Sequence, residues 1–286
     1  MVATPIGNMA DITLRGLHVL DLVDAIACED SRHTGQLLQT YGLSKPLMPV
    51  HMHNEREGAQ RVLDLLGQGK RVAYVSDAGT PGISDPGALL AHTVRAAGRR
   101  VVPLPGASSV STMLSAWGES SSAADWSQQG FWFAGFLPSK GADRAAALAK
   151  IQASPCAALW LEAPHRLTKL AAEVQTWQGR TLSIGRELTK RFETIDTLAC
   201  DQLVTWLAQD PQRQKGEFVF ALHKPEPAAE ATGAGPMVQD TLNTLLAHVP
   251  LKTAVQLTVK ITGVSKNVVY ETALRLAAGG EAGDGE

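Results

Sequence analysis

The sequence has little cysteine and no apolar run long enough to cross a membrane as a helix. Its three cysteines, Cys28, Cys156 and Cys200, are widely spaced and form no C-x-x-C pair. An odd number of distant cysteines argues against a disulfide framework and against a zinc site. Because neither a membrane helix nor a charged-then-apolar leader is found, we expect a cytoplasmic protein without a membrane partner.

The sequence also lacks an excess of one charge and several common site motifs. A formal net charge of −2 and a pI near 6.5 give no overall signature of nucleic-acid binding, so an RNA partner would need a local basic surface. A G-x-G-x-x-G fingerprint, a Walker loop and a nucleophile elbow are all missing, which argues against a classical dinucleotide site. His51 and His53 lie two residues apart, but no third ligand has a usual spacing, so we predict no metal.

The most distinctive stretch that is present runs from Ser76 to Gly87. It follows the apolar residues 71–75 and contains three glycines, two prolines and two aspartates. Glycines let the backbone approach a ligand closely, and ligands of open α/β sheets bind at the carboxyl ends of strands. The stretch therefore predicts a ligand-binding loop, with a plain strand-to-helix connection as the alternative.

Strand, loop and helix signals alternate along most of the chain. Over residues 1–118 they predict a mainly parallel sheet covered by helices, and after a Ser- and Ala-rich boundary at 118–130 they predict a second α/β domain over 119–226. A linker at 227–237, a small helical domain at 238–278 and a disordered tail at 279–286 complete the predicted organisation. The strands are expected at 25–28, 47–52, 71–75, 100–104, 131–136, 157–161, 182–185 and 217–222.

The C-terminal helices are predicted over 238–248, 251–262 and 266–277. Two helices joined at Gly263 resemble a helix-turn-helix, in which Lys252, Lys260 and Lys266 would contact phosphates. A simple helical appendage or a dimer contact explains the same pattern, because three lysines are ordinary for solvated helix faces.

Polar residues gather where the predicted strands end. Glu29, Asp30 and Arg32 follow one strand, and His53 and Asn54 follow the next, so these side chains should meet along one rim and form a polar substrate site. Helix capping by the carboxylates is the alternative. Loops of the second α/β domain carry further polar residues that are expected to face the cleft or solvent, namely Lys140, Arg186, Glu187, Lys190 and Glu193.

Five segments together resemble the ribosomal RNA small-subunit methyltransferase I family of the tetrapyrrole-methylase superfamily. They are residues 3–8 (ATPIGN), 29–34 (EDSRHT), 76–87 (SDAGTPGISDPG), 105–109 (PGASS) and 186–190 (RELTK). The resemblance implies an S-adenosylmethionine-dependent enzyme that methylates the ribose 2′-hydroxyl of a decoding-centre cytidine in 16S ribosomal RNA of the small ribosomal subunit, usually as a homodimer. The chain departs from the family at its start, where the first strand is reduced to Val2 and Ala3.

The same resemblance implies roles for individual residues. S-adenosylmethionine would lie in the cleft between the two α/β domains, against Pro5, Gly7, Asp77, Ala78, Gly79, Gly82, Ile83, Ser108, Ser109, Leu161 and Glu162. For the chemistry we expect Glu29 or Asp30 as the base and Lys140 or Lys190 as a stabilising charge. Arg32, His53, Asn54, Arg186 and Lys266 would hold the RNA.

Two other functions remain open from the sequence. One is a tetrapyrrole or precorrin C-methyltransferase of the same superfamily, although the first loop here, residues 4–8, lacks the glycine-rich form of that branch. The other is a non-catalytic RNA-binding assembly factor that retains the fold.

Overall fold

The computed structural model describes residues 1–117, 130–224 and 236–280. The chain divides into two compact units, Met1–Lys224 and Pro225–Glu286. The predicted boundary at 118–130, the linker at 227–237 and the tail at 279–286 lie mostly outside the described residues, although the last helix continues to Gly280.

The first sheet has three parallel strands in the order β2-β1-β3, where β1 is Ala25–Cys28, β2 is Leu47–Pro49 and β3 is Val72–Val75. Every residue of β1 is buried, as expected for the central strand of a parallel sheet with both faces covered. Five helices belong to this part of the chain: α1 (Leu14–Leu22), α2 (Ser31–Thr40), α3 (Glu55–Gly67), α4 (Ala88–Ala96) and α5 (Ser109–Ala116).

Residues 1–4 lie beside β3 on the side that β1 leaves free. Val2 N donates to Tyr74 O at 2.9 Å, and Leu104 N donates to Met1 O at 2.9 Å. The prediction of a strand over 100–104 is therefore wrong, because this segment forms a single isolated bridge, between Val2 and Leu104. Proline lacks the amide donor that a ladder needs, and Pro103 and Pro105 flank that bridge.

The second sheet has five strands in the order β4-β5-β8-β6-β7, and only the β4–β5 pair is parallel. The edge strand β7 was not predicted, because its residues directly follow the charged run 186–193; none of them is fully buried. The strands are β4 (Phe131–Phe136), β5 (Ala157–Glu162), β6 (Thr181–Arg186), β7 (Thr194–Ala199) and β8 (Phe218–Leu222). The helices packed with them are α6 (Gly141–Gln152), α7 (Leu167–Val174) and α8 (Leu203–Gln209).

Between residues 236 and 280, the second unit has three helices, α9 (Pro236–Leu246), α10 (Leu251–Thr262) and α11 (Lys266–Gly280). Gly263 ends α10 in the left-handed conformation with φ 70°, which glycine adopts without strain. The apolar sides of the three helices share a small core that includes Leu242, Val255 and Val269. In the described parts of the chain, no helix is both long and apolar enough to span a membrane.

A half-buried histidine, His223, joins the end of α5 to the second sheet. Trp117 Nε1 donates to His223 Nε2 at 2.7 Å, and Ser183 Oγ lies 2.7 Å from the same nitrogen. Burial disfavours the charged imidazole and lowers the pKa of His223 to about 4. The neutral histidine therefore contributes stability that is present above its unfolded pKa of 6.5 and is lost as the pH falls toward 4.

We expect the wild-type protein to lose more stability on acidification than the His223→Gln variant. Between pH 7.5 and pH 5.0 the extra loss should be about 1 kcal/mol, after allowance for partial solvent screening. Urea denaturation of both proteins at the two pH values measures this difference. Equal losses in the two proteins would show that His223 does not titrate below its ordinary range.

Candidate functional site

A cavity of about 320 Å³ lies within the first unit, beside the ends of β3 and β5. Small-molecule sites of globular proteins have volumes of roughly 300–1,000 Å³. Seven of the eleven residues predicted to contact the cofactor line it: Ala78, Gly79, Ile83, Ser108, Ser109, Leu161 and Glu162. The other four, Pro5, Gly7, Asp77 and Gly82, are each next in the sequence to a lining residue.

The loop Ser76–Gly87 forms one wall of the cavity and depends on its glycines. Gly79, Gly82 and Gly87 have φ values of 78°, 82° and 124°, which side-chain-bearing residues rarely adopt. Gly79 also exchanges two backbone hydrogen bonds of 3.0 Å with Thr4, and an added Cβ there would lie 3.3 Å from Ile6. The first loop and the Ser76–Gly87 loop are therefore held together around a space that backbone groups line.

The ends of β1 and β3 bring acidic side chains together, because the two strands are neighbours. Asp77 Oδ1 accepts a hydrogen bond of 3.0 Å from Asp30 N, and Glu29 Oε2 accepts one of 3.4 Å from Asp77 N. Asp85, which lines the cavity, interacts electrostatically with Asp77. Burial raises the pKa of both Glu29 and Asp85. This rim therefore places carboxylates beside the cavity, and two of them, Glu29 and Asp85, have a raised pKa.

The two base candidates differ in how their carboxylates are used. Asp30 caps α2 by accepting from Arg32 N at 2.8 Å, and it pairs with the Arg32 guanidinium at 2.7 Å. These hydrogen bonds hold the pKa of Asp30 well below its usual range. Since a base should have a pKa closer to neutral pH, Glu29 is the better candidate and Asp30 acts as a helix cap.

His53 and Asn54 follow β2 in a turn. The expected strand through Met52 ends earlier, at Pro49, so His51 and His53 do not lie on a strand. Asn54 Oδ1 accepts from His51 N at 2.8 Å and Asn54 Nδ2 donates to Pro49 O at 3.2 Å, so this amide shapes the turn, whereas His53 is exposed. Among the residues that the structure describes, no group of three His, Cys, Asp or Glu side chains is placed to hold a metal.

Arg186 lies in a different environment from the one expected. Its side chain is buried, and its guanidinium donates to the carbonyl oxygens of Lys215, Phe192 and Gln212 at 2.9, 3.0 and 2.7 Å. A guanidinium directed into the protein in this way positions backbone, which argues against the expected contact with RNA. By contrast, Arg32, Lys140 and Lys266 are exposed.

Lys190 does not line the cavity but pairs with a residue that does. Its ammonium is 2.9 Å from Glu187 Oε1 and 3.1 Å from Glu217 Oε2, and Glu217 lines the cavity. Burial alone would lower the pKa of Lys190, but the hydrogen bonds to these two carboxylates raise it above its ordinary value. Its side chain also packs on Gly7, where an added Cβ would collide with Lys190 Cγ. Lys190 therefore remains a cation next to the first loop.

Glu162, the last residue of β5, lines the cavity, and its carboxylate forms ion pairs with two arginines. Arg144 Nη1 lies 2.8 Å from Glu162 Oε2, and the two side chains are 1% and 0% exposed. Arg166 Nε contacts the other carboxylate oxygen at 2.5 Å. Several other residues that line the cavity were not predicted. Thr80 and Asp85 belong to the Ser76–Gly87 loop, whereas Phe136, Leu188 and Glu217 come from distant segments.

Comparison with known families gives two matches along the chain. Residues 1–203 match the family described as Tetrapyrrole (Corrin/Porphyrin) Methylases, and residues 232–277 match the RsmI C-terminal HTH domain. The helix α10, Gly263 and all but the last three residues of α11 lie within the second match.

Curated relatives match over nearly the full length. A protein of Escherichia coli O157:H7 named Ribosomal RNA small subunit methyltransferase I is 44% identical, over 96% of this chain and 93% of its own. A protein of Pseudomonas aeruginosa with the same name is 42% identical, over 96% of both chains. A solved structure of uroporphyrin-III C-methyl transferase from Thermus thermophilus, complexed with S-adenyl homocysteine, shares the fold with a TM-score of 0.53 and 13% identity, over 78% of this chain and 95% of that one.

Proposed function

The chain belongs to the ribosomal RNA small subunit methyltransferase I family of the tetrapyrrole methylases, and from this membership we propose an S-adenosylmethionine-dependent 2′-O-methyltransferase for a cytidine of 16S ribosomal RNA. The observation that supports it best is the cavity beside the ends of β3 and β5, lined by the glycine-dependent loop that also carries the family resemblance.

The lining residues fit the proposed methyl donor. S-adenosylmethionine, when bound, supplies an activated methyl group on a positively charged sulfur. Asp85 lines the cavity and Asp77 adjoins it, so their negative charge favours a cationic ligand. Ile6, Ile83 and Val110 offer apolar contacts, as in most small-molecule sites.

Other side chains are proposed to accept the proton, to stabilise charge and to contact the RNA. A ribose hydroxyl is a weak nucleophile, and Glu29 is proposed to accept its proton. Lys190 offers a positive charge held beside the cavity-lining Glu217. The exposed Arg32, His53 and Lys266 are proposed to contact RNA, because most contacts with nucleic acids are made to phosphate and sugar.

Replacing Asp77 with alanine should weaken the binding of S-adenosylmethionine about tenfold, because a negative charge beside a cationic ligand is removed. Asp77→Asn is the matched control, since it keeps the acceptor for Asp30 N but not the charge. Isothermal titration calorimetry should show weaker binding for both variants. If the asparagine variant binds as wild type does, the carboxylate charge is not what the site uses.

The function is tested with small ribosomal subunits from cells that lack the enzyme. We expect methyl label from S-adenosylmethionine to enter their 16S RNA when the protein is added. Label found only on uroporphyrinogen would favour the tetrapyrrole methyltransferase instead. Failure to bind S-adenosylmethionine would exclude both enzymes and leave the RNA-binding assembly factor.

A further inference from the structure

The β6–β7 loop, residues 187–193, is held in a strained conformation. Within the described parts of the chain, Glu187 (φ 51°) and Thr189 (φ 67°) are the non-glycine residues with positive φ. Buried Arg186 fixes the far end by donating to Phe192 O, and Glu193 Oε2 accepts from Thr189 N at 2.5 Å. Such strain persists only where the surroundings enforce it, and it is common at functional sites.

This loop also borders the cavity. Leu188 is one of the lining residues, and Lys190 lies against Gly7. Asn8 N donates to Thr189 Oγ1 at 3.1 Å, which ties the loop to the first loop of the chain. These contacts therefore hold Arg191 and Phe192, which follow Lys190, beside the cavity.

Phe192 presents an exposed aromatic ring on this loop. Phe192 is 64% exposed, and the guanidinium carbon of Arg191 lies 5.5 Å from its ring centroid. A single exposed apolar residue is unremarkable on a protein surface. Here, however, the ring is paired with a cation and is attached to a strained loop, and it lies two residues from Lys190, which pairs with the cavity-lining Glu217. The adjacent acid, Glu193, is directed back into the loop by its bond to Thr189.

We propose that Phe192 and Arg191 form a stacking platform for an unpaired base of the RNA strand that presents its ribose to the cavity. The inference rests on the proposed function and adds a site of base contact to it. Proteins recognise single-stranded RNA by stacking its bases on aromatic rings and on arginine guanidinium planes. A second copy of this chain is a poorer occupant, because the arginine beside the ring favours a polyanion over an apolar protein surface.

Three variants test the platform. Phe192→Ala removes the ring, Phe192→Leu keeps apolar bulk without an aromatic face, and Phe192→Tyr keeps the ring. The probe is purified small ribosomal subunits that lack the methylation, and the dissociation constant is measured by filter binding. We expect the Ala and Leu variants to bind about tenfold more weakly and the Tyr variant to bind within about twofold of wild type.

Other results would overturn the inference. Binding of the Leu variant as tight as that of wild type would show that apolar contact alone matters. A change of oligomeric state in the Ala variant, measured by light scattering, would assign the ring to a protein contact, and weaker binding of S-adenosylmethionine would assign it to the cavity. If wild type methylates the subunits and the Ala variant still binds them normally, only the platform fails; if wild type does not methylate them, the proposed function fails.

Discussion

Replacing Glu29 with glutamine should slow methyl transfer by about 100-fold or more, because a positioned general base contributes roughly 10²–10⁴-fold. Glutamine keeps the oxygen that accepts from Asp77 N, so the rim should keep its shape. The affinity for S-adenosylmethionine should stay within about twofold of wild type. Single-turnover assays on small subunits, together with calorimetry, measure the two quantities separately.

The pH dependence gives this prediction a second readout. A base must be deprotonated, so the wild-type rate should fall as the pH drops through the pKa of Glu29, which burial raises above the ordinary value of 4.5. The Glu29→Gln variant should lose this acid limb. Asp30→Asn is the control, since Asp30 caps α2 and should leave the limb in place. A Glu29→Gln enzyme with wild-type rate and pH profile would exclude Glu29 as the base.

Replacing Arg144 with methionine should destabilise the fold by about 3–5 kcal/mol, because a buried carboxylate loses its partner. Arg144 is 1% exposed and lies 2.8 Å from both Glu162 Oε2 and Glu173 Oε2. Arg166 still contacts Glu162 in the variant, but it reaches only one of the two carboxylate oxygens. Urea denaturation measures the loss of stability.

Lys169 provides the control for this buried network. Its ammonium lies 3.9 Å from Glu173 Oε1 and its side chain is 50% exposed, so Lys169→Met should cost less than about 1 kcal/mol. Similar small losses of stability for both variants would mean that water can replace Arg144 as the partner of the Glu162 carboxylate. In that case the end of β5, which lines the cavity, is not fixed by the ion pairs.

The cavity walls could be anticipated from the sequence because their signals are local. Strand ends followed by glycines and prolines, as in Ser76–Gly87, predict both a turn and exposed backbone. Neighbouring parallel strands also place their carboxyl ends together, so Glu29 after β1 and Asp77 after β3 lie hydrogen-bonded at one rim. The sequence alone predicted Glu29 beside His53 and Asn54 instead. These features depend on a few adjacent residues and on one topological rule.

Other features could not be anticipated because they depend on residues far apart in the chain. Arg186 looks like an RNA contact until the carbonyls of Lys215 and Gln212 are seen to surround its guanidinium. Asn54 similarly looks free until its turn is known. Glu217 reaches the cavity only through the antiparallel placement of β8 beside β5, which no local motif encodes.

The most direct test of the proposed function identifies the atom that receives the methyl group. Unmethylated small ribosomal subunits are incubated with the protein and labelled S-adenosylmethionine, and the 16S RNA is then digested to nucleosides and separated by chromatography. We predict label in 2′-O-methylcytidine for wild type and about 100-fold less for Glu29→Gln. Label in a base-methylated nucleoside, or in no nucleoside at all, would contradict the proposed ribose methylation.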